Sequence, residues 1–361
     1  MKALFISGSN QYGVLNHFLA GMRADLAAMN IATDELDVSD AHSLEKSAAQ
    51  ISELQHYAFI VSFNCMGLDI TVEGYSVSEF AKRRKVFVML VDHPLHLLHH
   101  LIGSNVTVLC IDQEHVGFCQ VCQINALYFP HAVAESGLNR EGFIAVENKK
   151  DEIIYPVSYF DLAGARKKLA PVWNQVGDVL EQVTNVTRFL QVIGVLPFGS
   201  KAATIPLDEN VRSVAMFADF YIRAKSRLSF LEECYKKNLR LTVIGNSSEK
   251  YQDIVPYHRY EKALPFNLLK ERMRQAKFVA HNSPGFELGL HERIVIPLSL
   301  GTLPLASMTF LKQTFGHAVV SFDDTAHLKP SEYTDYLDKG YNKIAKEHTW
   351  RAQWTPIIEQ L

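Results

Sequence analysis

Residues 2–29 read KALFIS, then GSNQYG, then VLNHFLAGMRADLAAM. The first block, Lys2–Ser7, is a short run with almost no polar face, the pattern of a strand buried on both sides. The second, Gly8–Gly13, is a turn with a glycine at each end. The third places apolar residues at helical spacing from about Val14 to Met29. Strand, glycine-bearing turn and amphipathic helix predict the opening of a doubly wound α/β unit. Gly8 and Gly13 lie five apart, so the dinucleotide fingerprint G-x-G-x-x-G is absent.

Further buried-type strands are expected at Ala58–Phe63, Val86–Val91, Val106–Ile111 and Ala126–Phe129, with helical segments between most of them. Such alternation predicts a mostly parallel sheet covered on both faces. The stretch from about Ala163 to Leu196 reads as largely helical. A second alternation then begins. Val211–Phe217 and Leu239–Ile244 are expected strands, with a helix over Tyr221–Lys237 between them. A helix over Phe266–Ala276, a strand Phe278–His281, a helix His291–Leu300 and strands Leu303–Ala306 and Ala318–Ser321 follow. The tail from about Ser331 reads as two helices. The expected domains are 1–170, a helical connector 171–210, a second Rossmann-like domain 211–340, and a terminal helix 341–361 returning to the first.

The composition fits a folded enzyme of about two domains: 361 residues, 48% hydrophobic and 21% charged. Lys and Arg total 36 against 39 Asp and Glu, a net charge of −3. No general attraction to phosphate backbones follows, and no nucleic-acid partner is expected. No targeting segment or run of about 20 apolar residues is visible. The five cysteines are an odd, sparse set that reads as reduced. A cytoplasmic location is expected, compatible with peripheral association at the inner face of a membrane.

The second half resembles the C-terminal domain of GT-B nucleotide-sugar glycosyltransferases, and among them bacterial proteins of the spore-maturation CgeB type. The resemblance lies in an ordered series over about residues 211–355. It comprises Arg227 with the run Leu228–Lys237, LRLTVIGN at Leu239–Asn246, Val255–Tyr260, and Phe278–Ser283. Gly289-Leu290-His291-Glu292-Arg293, Gly301–Pro304 and EHTWRAQW at Glu347–Trp354 complete it. The first half matches only in architecture and in the turn Asp92-His93-Pro94. The resemblance implies two Rossmann-like domains facing a cleft, with a nucleotide sugar held mainly by the second. It implies transfer of the sugar to a hydroxyl of a glycan, a lipid-linked saccharide or a protein. No cofactor and no catalytic metal are expected. Two alternatives share the fold: a nucleotide-sugar epimerase or hydrolase, and a non-catalytic binding subunit.

The resemblance makes Glu292 the acceptor of hydrogen bonds from ribose hydroxyls, a task a carboxylate suits because it takes two vicinal donors. The plain alternative is a glutamate complementing the dipole of its helix. His291 and Arg293 flank it as candidate partners of the pyrophosphate. The loop from Asn282 and Ser283 to Gly289 is a candidate for presenting backbone N–H groups to phosphate. Gly245 and Asn246 end a strand at the expected cleft edge. Tyr257 and His258 fall where the family's loop contacts the base. Among Arg223, Lys225 and Arg227, one is expected to reach the diphosphate, Arg227 being the choice. On the acceptor side, Asp92 and His93 are the candidate general base, with Asp92 alternatively a helix cap. Asp112 and His115 are second choices. Gly8, Asn10 and Gly13 are candidates for a loop near the cleft. His93, His96 and His100 would share a helix face at metal-ligand spacing, and Cys119-Gln-Val-Cys122 is a lone CxxC. Partly exposed histidines and half-buried thiols are the plainer readings of both.

Overall fold

The computed structural model describes residues 1–10, 13–48, 54–72, 75–198 and 201–361. Two compact units divide the chain: Met1–Gly142 with Tyr341–Leu361, and Phe143–Gly340.

In the first unit KALFIS is the strand Lys2–Ser7, followed by the helix Val14–Ala28. Its six-stranded sheet runs in the order Ala32–Asp37, Lys2–Ser7, Phe59–Phe63, Lys85–Leu90, Thr107–Cys110, Ala126–Tyr128. Every pairing in it is parallel. Ala3 to Ile6 and Phe59 to Val61 are fully buried, as double-sided cover by helices requires. Strand Ala32–Asp37 (ATDELD) went unread because it is an edge strand in which only Leu36 is buried. Order along the sheet reverses between Lys2–Ser7 and Phe59–Phe63, the switch point where ligands of open α/β sheets bind.

The tail closes this unit. Trp354, on the helix Trp350–Ile358, is fully buried and packs on Phe59, Phe87 and Phe129 with ring centroids 5.5, 5.8 and 5.1 Å away. Trp350 lies over Gly21, where an added Cβ would meet the indole at 2.8 Å. The buried Asp25 carboxylate accepts from the backbone N–H groups of Arg351 and Glu135, both at 2.9 Å. Burial raises its pKa.

The second unit departs from the sequence reading. Val211–Phe217 is not a strand but the start of one helix, Glu209–Lys236. Asp208 caps it by accepting from the Val211 amide at 2.9 Å. No glycine or proline interrupts 209–236, and the buried Ala215, Ala218 and Ile222 recur at three- and four-residue spacing, so the period is helical. The first strand of this sheet is instead Lys150–Pro156 (KDEIIYP), whose charged start masked it. The domain boundary therefore falls at Gly142/Phe143 and not near 170. The expected connector, 171–210, lies within this unit and holds the helices Trp173–Gln182 and Val186–Val192, preceded by Leu162–Leu169. The sheet order is Arg259–Glu261, Leu241–Ile244, Lys150–Pro156, Ala276–Ala280, Leu303–Leu305, all parallel. Ala318–Ser321 contributes one bridge, Leu305 to Val320. The switch point lies between Lys150–Pro156 and Ala276–Ala280.

Candidate functional site

The carboxyl ends at this second switch point are where the polar groups gather. The long helix supplies a stripe at helical spacing: Asp219, Arg223, Ser226, Arg227 and Phe230. Arg227 is 7% exposed. Its Nη1 donates to the Ser158 carbonyl at 2.7 Å, just past the strand Lys150–Pro156. Its guanidinium lies 4.3 Å from the Phe160 ring centroid. Arg223 lies over the same ring at 4.9 Å and pairs with the buried Asp219 at 3.5 Å. Lys225 faces elsewhere. Its ammonium donates to the carbonyls of Leu180 and Glu181 at 2.5 and 2.7 Å, capping the helix Trp173–Gln182. Two of the three cations thus turn inward.

The loop after Ala276–Ala280 lies against the stripe. Asn282 is tied to Ser226, donating to its carbonyl at 3.2 Å, so its amide holds the loop in place. Gly285 has φ of +85°, a conformation glycine adopts without steric cost. Glu287 anchors the loop's far side, accepting from the Thr184 hydroxyl and, at 2.9 Å, from Asn185 Nδ2. Ser283 Oγ is buried and makes no hydrogen bond among the described residues. Gly289 is buried in the same loop.

The helix Glu292–Ser299 follows, with His291 as its N-cap and Glu292 its first residue. His291 Nδ1 is 2.6 Å from Glu292 Oε2 and 3.4 Å from the Arg293 amide nitrogen. The shorter contact sets the tautomer: Nδ1 carries a proton and donates to the carboxylate. Nε2 is then free to accept from Arg293 Nη2 at 3.3 Å. His291 is thus a bridge between the two residues beside it.

Electrostatically the region is cationic. Burial, then the neighbouring Arg223, pulls the Arg227 pKa down from 12.5 to about 10, with Arg293 adding to the effect. Among the described residues, no carboxylate lies within ion-pair distance of Arg227. A buried cation lacking a protein counter-charge suits an anion brought in from outside. Burial also pushes the His281 pKa well below 6.5, so that ring is neutral. Tyr155, Ser158, Phe160, Asp219 and Tyr251 belong to this neighbourhood, and sequence reasoning missed all five. Once 209–236 is taken as one helix, the spacing of Asp219, Arg223 and Arg227 is the signal that finds the stripe.

Other expected site residues lie elsewhere or have other work. Tyr257 and His258 precede the strand Arg259–Glu261, at the amino end of the sheet and away from the switch-point crevice. His258 is buried and fully used: Nδ1 accepts from the Leu241 amide at 3.2 Å and Nε2 lies 2.8 Å from the Leu231 carbonyl. Tyr257 packs on Tyr235 at 4.9 Å. Gly245 is at the carboxyl end, but for packing: an added Cβ would meet the Val157 carbonyl oxygen at 2.1 Å. Asn246 accepts from the Tyr159 amide at 2.9 Å through its backbone carbonyl.

In the first unit, Gly8, Asn10 and Gly13 follow the strand at that unit's switch point. Asn10 serves the turn, Oδ1 accepting from the Leu15 amide at 3.2 Å and Nδ2 donating to Asn16 Oδ1 at 2.8 Å. Gly13 has φ of +76°. Gln11 and Tyr12 of the same turn lie outside the described residues. His93, not Asp92, caps the turn starting at Pro94: its Nδ1 accepts from the Leu95 amide at 3.1 Å. Its ring packs on His115 and Phe118 at 4.5 and 4.8 Å. Asp92 is half-buried beside it. Asp112 likewise caps Gln113–Val121, accepting from the Glu114 amide at 2.7 Å. A short 3-10 turn, Pro94–Leu97, breaks the helix on which His93, His96 and His100 would have aligned, and these three form no metal-spaced group among the described residues. Cys119 is buried 3.9 Å from Cys110, and burial raises the Cys122 thiol to about 11.

Over its whole length the chain is similar to solved glucosyltransferases. With T4 phage BGT in complex with its UDP-glucose substrate the TM-score is 0.56 at 12% identity, covering 100% of this chain and 99% of that one. With an alpha-glucosyltransferase in complex with UDP it is 0.55 at 9%, covering 99% and 98%. With an alpha-glucosyltransferase in complex with UDP-glucose and DNA containing an abasic site it is 0.53 at 11%, covering 100% and 98%. No protein-family model and no curated protein matches the sequence. The likeness establishes the fold: two parallel-sheet α/β units in the GT-B architecture.

Proposed function

We propose that this chain is a glycosyltransferase that moves a sugar from a nucleotide-sugar donor to an acceptor hydroxyl. The observation that carries the reading is Arg227, a buried cation with no carboxylate partner among the described residues, at the carboxyl ends where such sheets bind ligands. A donor diphosphate supplies the missing negative charge. On this reading Arg227 and Arg293 offset the charge that builds on the leaving nucleotide. Ser283 and the backbone of 282–289 contact its phosphates. Glu292, oriented by His291, accepts from the ribose hydroxyls. Asp92 stays the candidate base for the acceptor, and His93 holds the turn that presents it. No resident cofactor is invoked. With guanidinium groups meeting the diphosphate, we propose turnover that needs no metal. The finer likeness to bacterial CgeB-type enzymes belongs to this proposal, as do glycan, lipid-linked saccharide and protein acceptors. A second reading of the acceptor has one finding in its favour: a solved alpha-glucosyltransferase of this fold holds DNA.

The test is a thermal-shift series with UDP, GDP, CMP, ADP and dTDP, since a bound nucleotide raises stability by mass action. Sugar release is then measured from the matching donor, with and without acceptors, duplex DNA included, and with EDTA. Binding of one nucleoside diphosphate and acceptor-dependent transfer are expected. Turnover with no acceptor assigns the chain to the epimerase or hydrolase class. Silence from every nucleotide refutes the donor site and leaves a non-catalytic subunit.

A further inference from the structure

All six strands of the first sheet run parallel, so their amino ends lie along one edge, opposite the switch-point loops. That edge carries an unusual surface. Lys82, Arg83, Arg84 and Lys85 are consecutive, exposed, and form no ion pair among the described residues. They lead into the strand Lys85–Leu90. Lys82, Arg83 and Arg84 line a pocket of about 430 Å³ together with the buried Leu54 and Phe80, and among the described residues its one acid is Glu79. The chain as a whole is at −3, so this cluster runs against the global charge.

Apolar side chains accompany it on the same edge. Thr107–Cys110 is the next strand along, with Phe87 paired to Thr107. Just before it, Ile102 is 58% exposed at a tip formed with Gly103. The helix Gln113–Val121 runs back against the strands, which brings Val121 to this edge, 49% exposed, ahead of Ala126–Tyr128. A run of cations sharing an edge with exposed aliphatic side chains matches a surface of anionic headgroups over acyl chains.

We propose that this edge, Lys82–Lys85 with Ile102 and Val121, docks the protein on an anionic lipid surface. The aliphatic groups favour lipid over nucleic acid: they give bases nothing to stack on, and the one ring among the pocket's described residues, Phe80, is buried. The edge lies away from the loops that follow the carboxyl ends of the same strands, so a docked first unit keeps those loops in solution. The inference does not depend on the donor chemistry.

The test is co-sedimentation of the full chain with vesicles of phosphatidylglycerol and phosphatidylcholine, against phosphatidylcholine alone. Binding to the anionic vesicles alone is expected, weakening as salt rises. Replacing Lys82, Arg83 and Arg84 by Glu lowers that affinity by roughly a hundredfold or more. The pair Ile102→Ser and Val121→Ser lowers the binding that persists at high salt. These surface changes leave the melting temperature and nucleotide affinity as they were, which excludes misfolding. Equal binding to both vesicle types, no binding, unchanged binding by the variants, or tighter binding to a DNA duplex than to the vesicles would each overturn the proposal.

Discussion

Replacing Arg227 by Met separates a ligand-binding cation from a structural one. Methionine keeps much of the length and volume and removes the charge. A pKa pulled from 12.5 to about 10 corresponds to roughly 3 kcal/mol by which the folded surroundings disfavour the guanidinium. The sign is firm. A cation whose folded value is depressed costs stability at every pH below both values, so the cost is present in full at pH 7. Against it stand the charged hydrogen bond to Ser158, about 1.5–3 kcal/mol, and the Phe160 contact, about 1 kcal/mol or more. These nearly cancel. The unliganded Met variant should lie within about 2 kcal/mol of the parent in urea unfolding. Truncating one partner of a buried ion pair costs about 3–5 kcal/mol, and among the described residues there is no carboxylate to strand here. Nucleoside diphosphate affinity, measured by calorimetry, should fall by about a hundredfold or more, as expected when a buried charge contact is lost. Arg227→Lys should fall between, since a point charge replaces a planar fork. A Met variant destabilised by more than about 4 kcal/mol with unchanged nucleotide affinity would refute the reasoning, and Arg227 would then be a structural residue.

Three more outcomes follow from particular contacts. Gly245→Ala should cost about 3 kcal/mol, the upper end of overpacking, because its Cβ meets backbone atoms of Val157 at 2.1 and 2.4 Å; an unchanged urea midpoint would contradict this. Trp354→Ala should cost about 3–5 kcal/mol and loosen the tail, seen as faster hydrogen exchange over 348–361. Burial lowers the pKa values of His258 and His281, and that of His348 to about 4. Their contribution is full above the unfolded value near 6.5 and is lost as pH falls from there toward the folded values. The melting temperature should therefore drop between pH 6.5 and 4.5, and a flat profile would contradict the neutral-histidine assignment.

The legible parts of this fold share one property, burial on both faces. ALFI, FIVSF and VFVML have nowhere to put a charge, so composition alone marks them as central strands. The missed strands fail that criterion for different reasons. ATDELD is an edge strand with one buried residue. KDEIIYP opens with charges that serve its own unit: Asp151 pairs with Lys277, and Glu152 with Arg272. Missing that second strand displaced the domain boundary and led to VRSVAMF being taken as a strand.

The site was harder to read for a related reason. The candidate site is spread over three segments about 65 residues apart, and only the fold brings them together. Glu292 and its neighbours stood out because they share one short motif. Arg227 was the choice among three nearby cations; the register of a continuous helix is what turns Arg223 inward with it and sends Lys225 outward. Tyr257 and His258 show the opposite failure. Their types suited a base-binding loop, yet residues that precede a parallel strand sit at its amino end, and crevice ligands bind at the other. In a doubly wound sheet, whether a candidate comes before or after its strand decides more than which residue it is. By that criterion Ser283 and Glu292, which follow the strand Ala276–Ala280, lie on the carboxyl side of the sheet and His258 on the amino side. The same criterion assigns Lys82–Lys85 to the amino-end edge of the first sheet, opposite the switch-point loops.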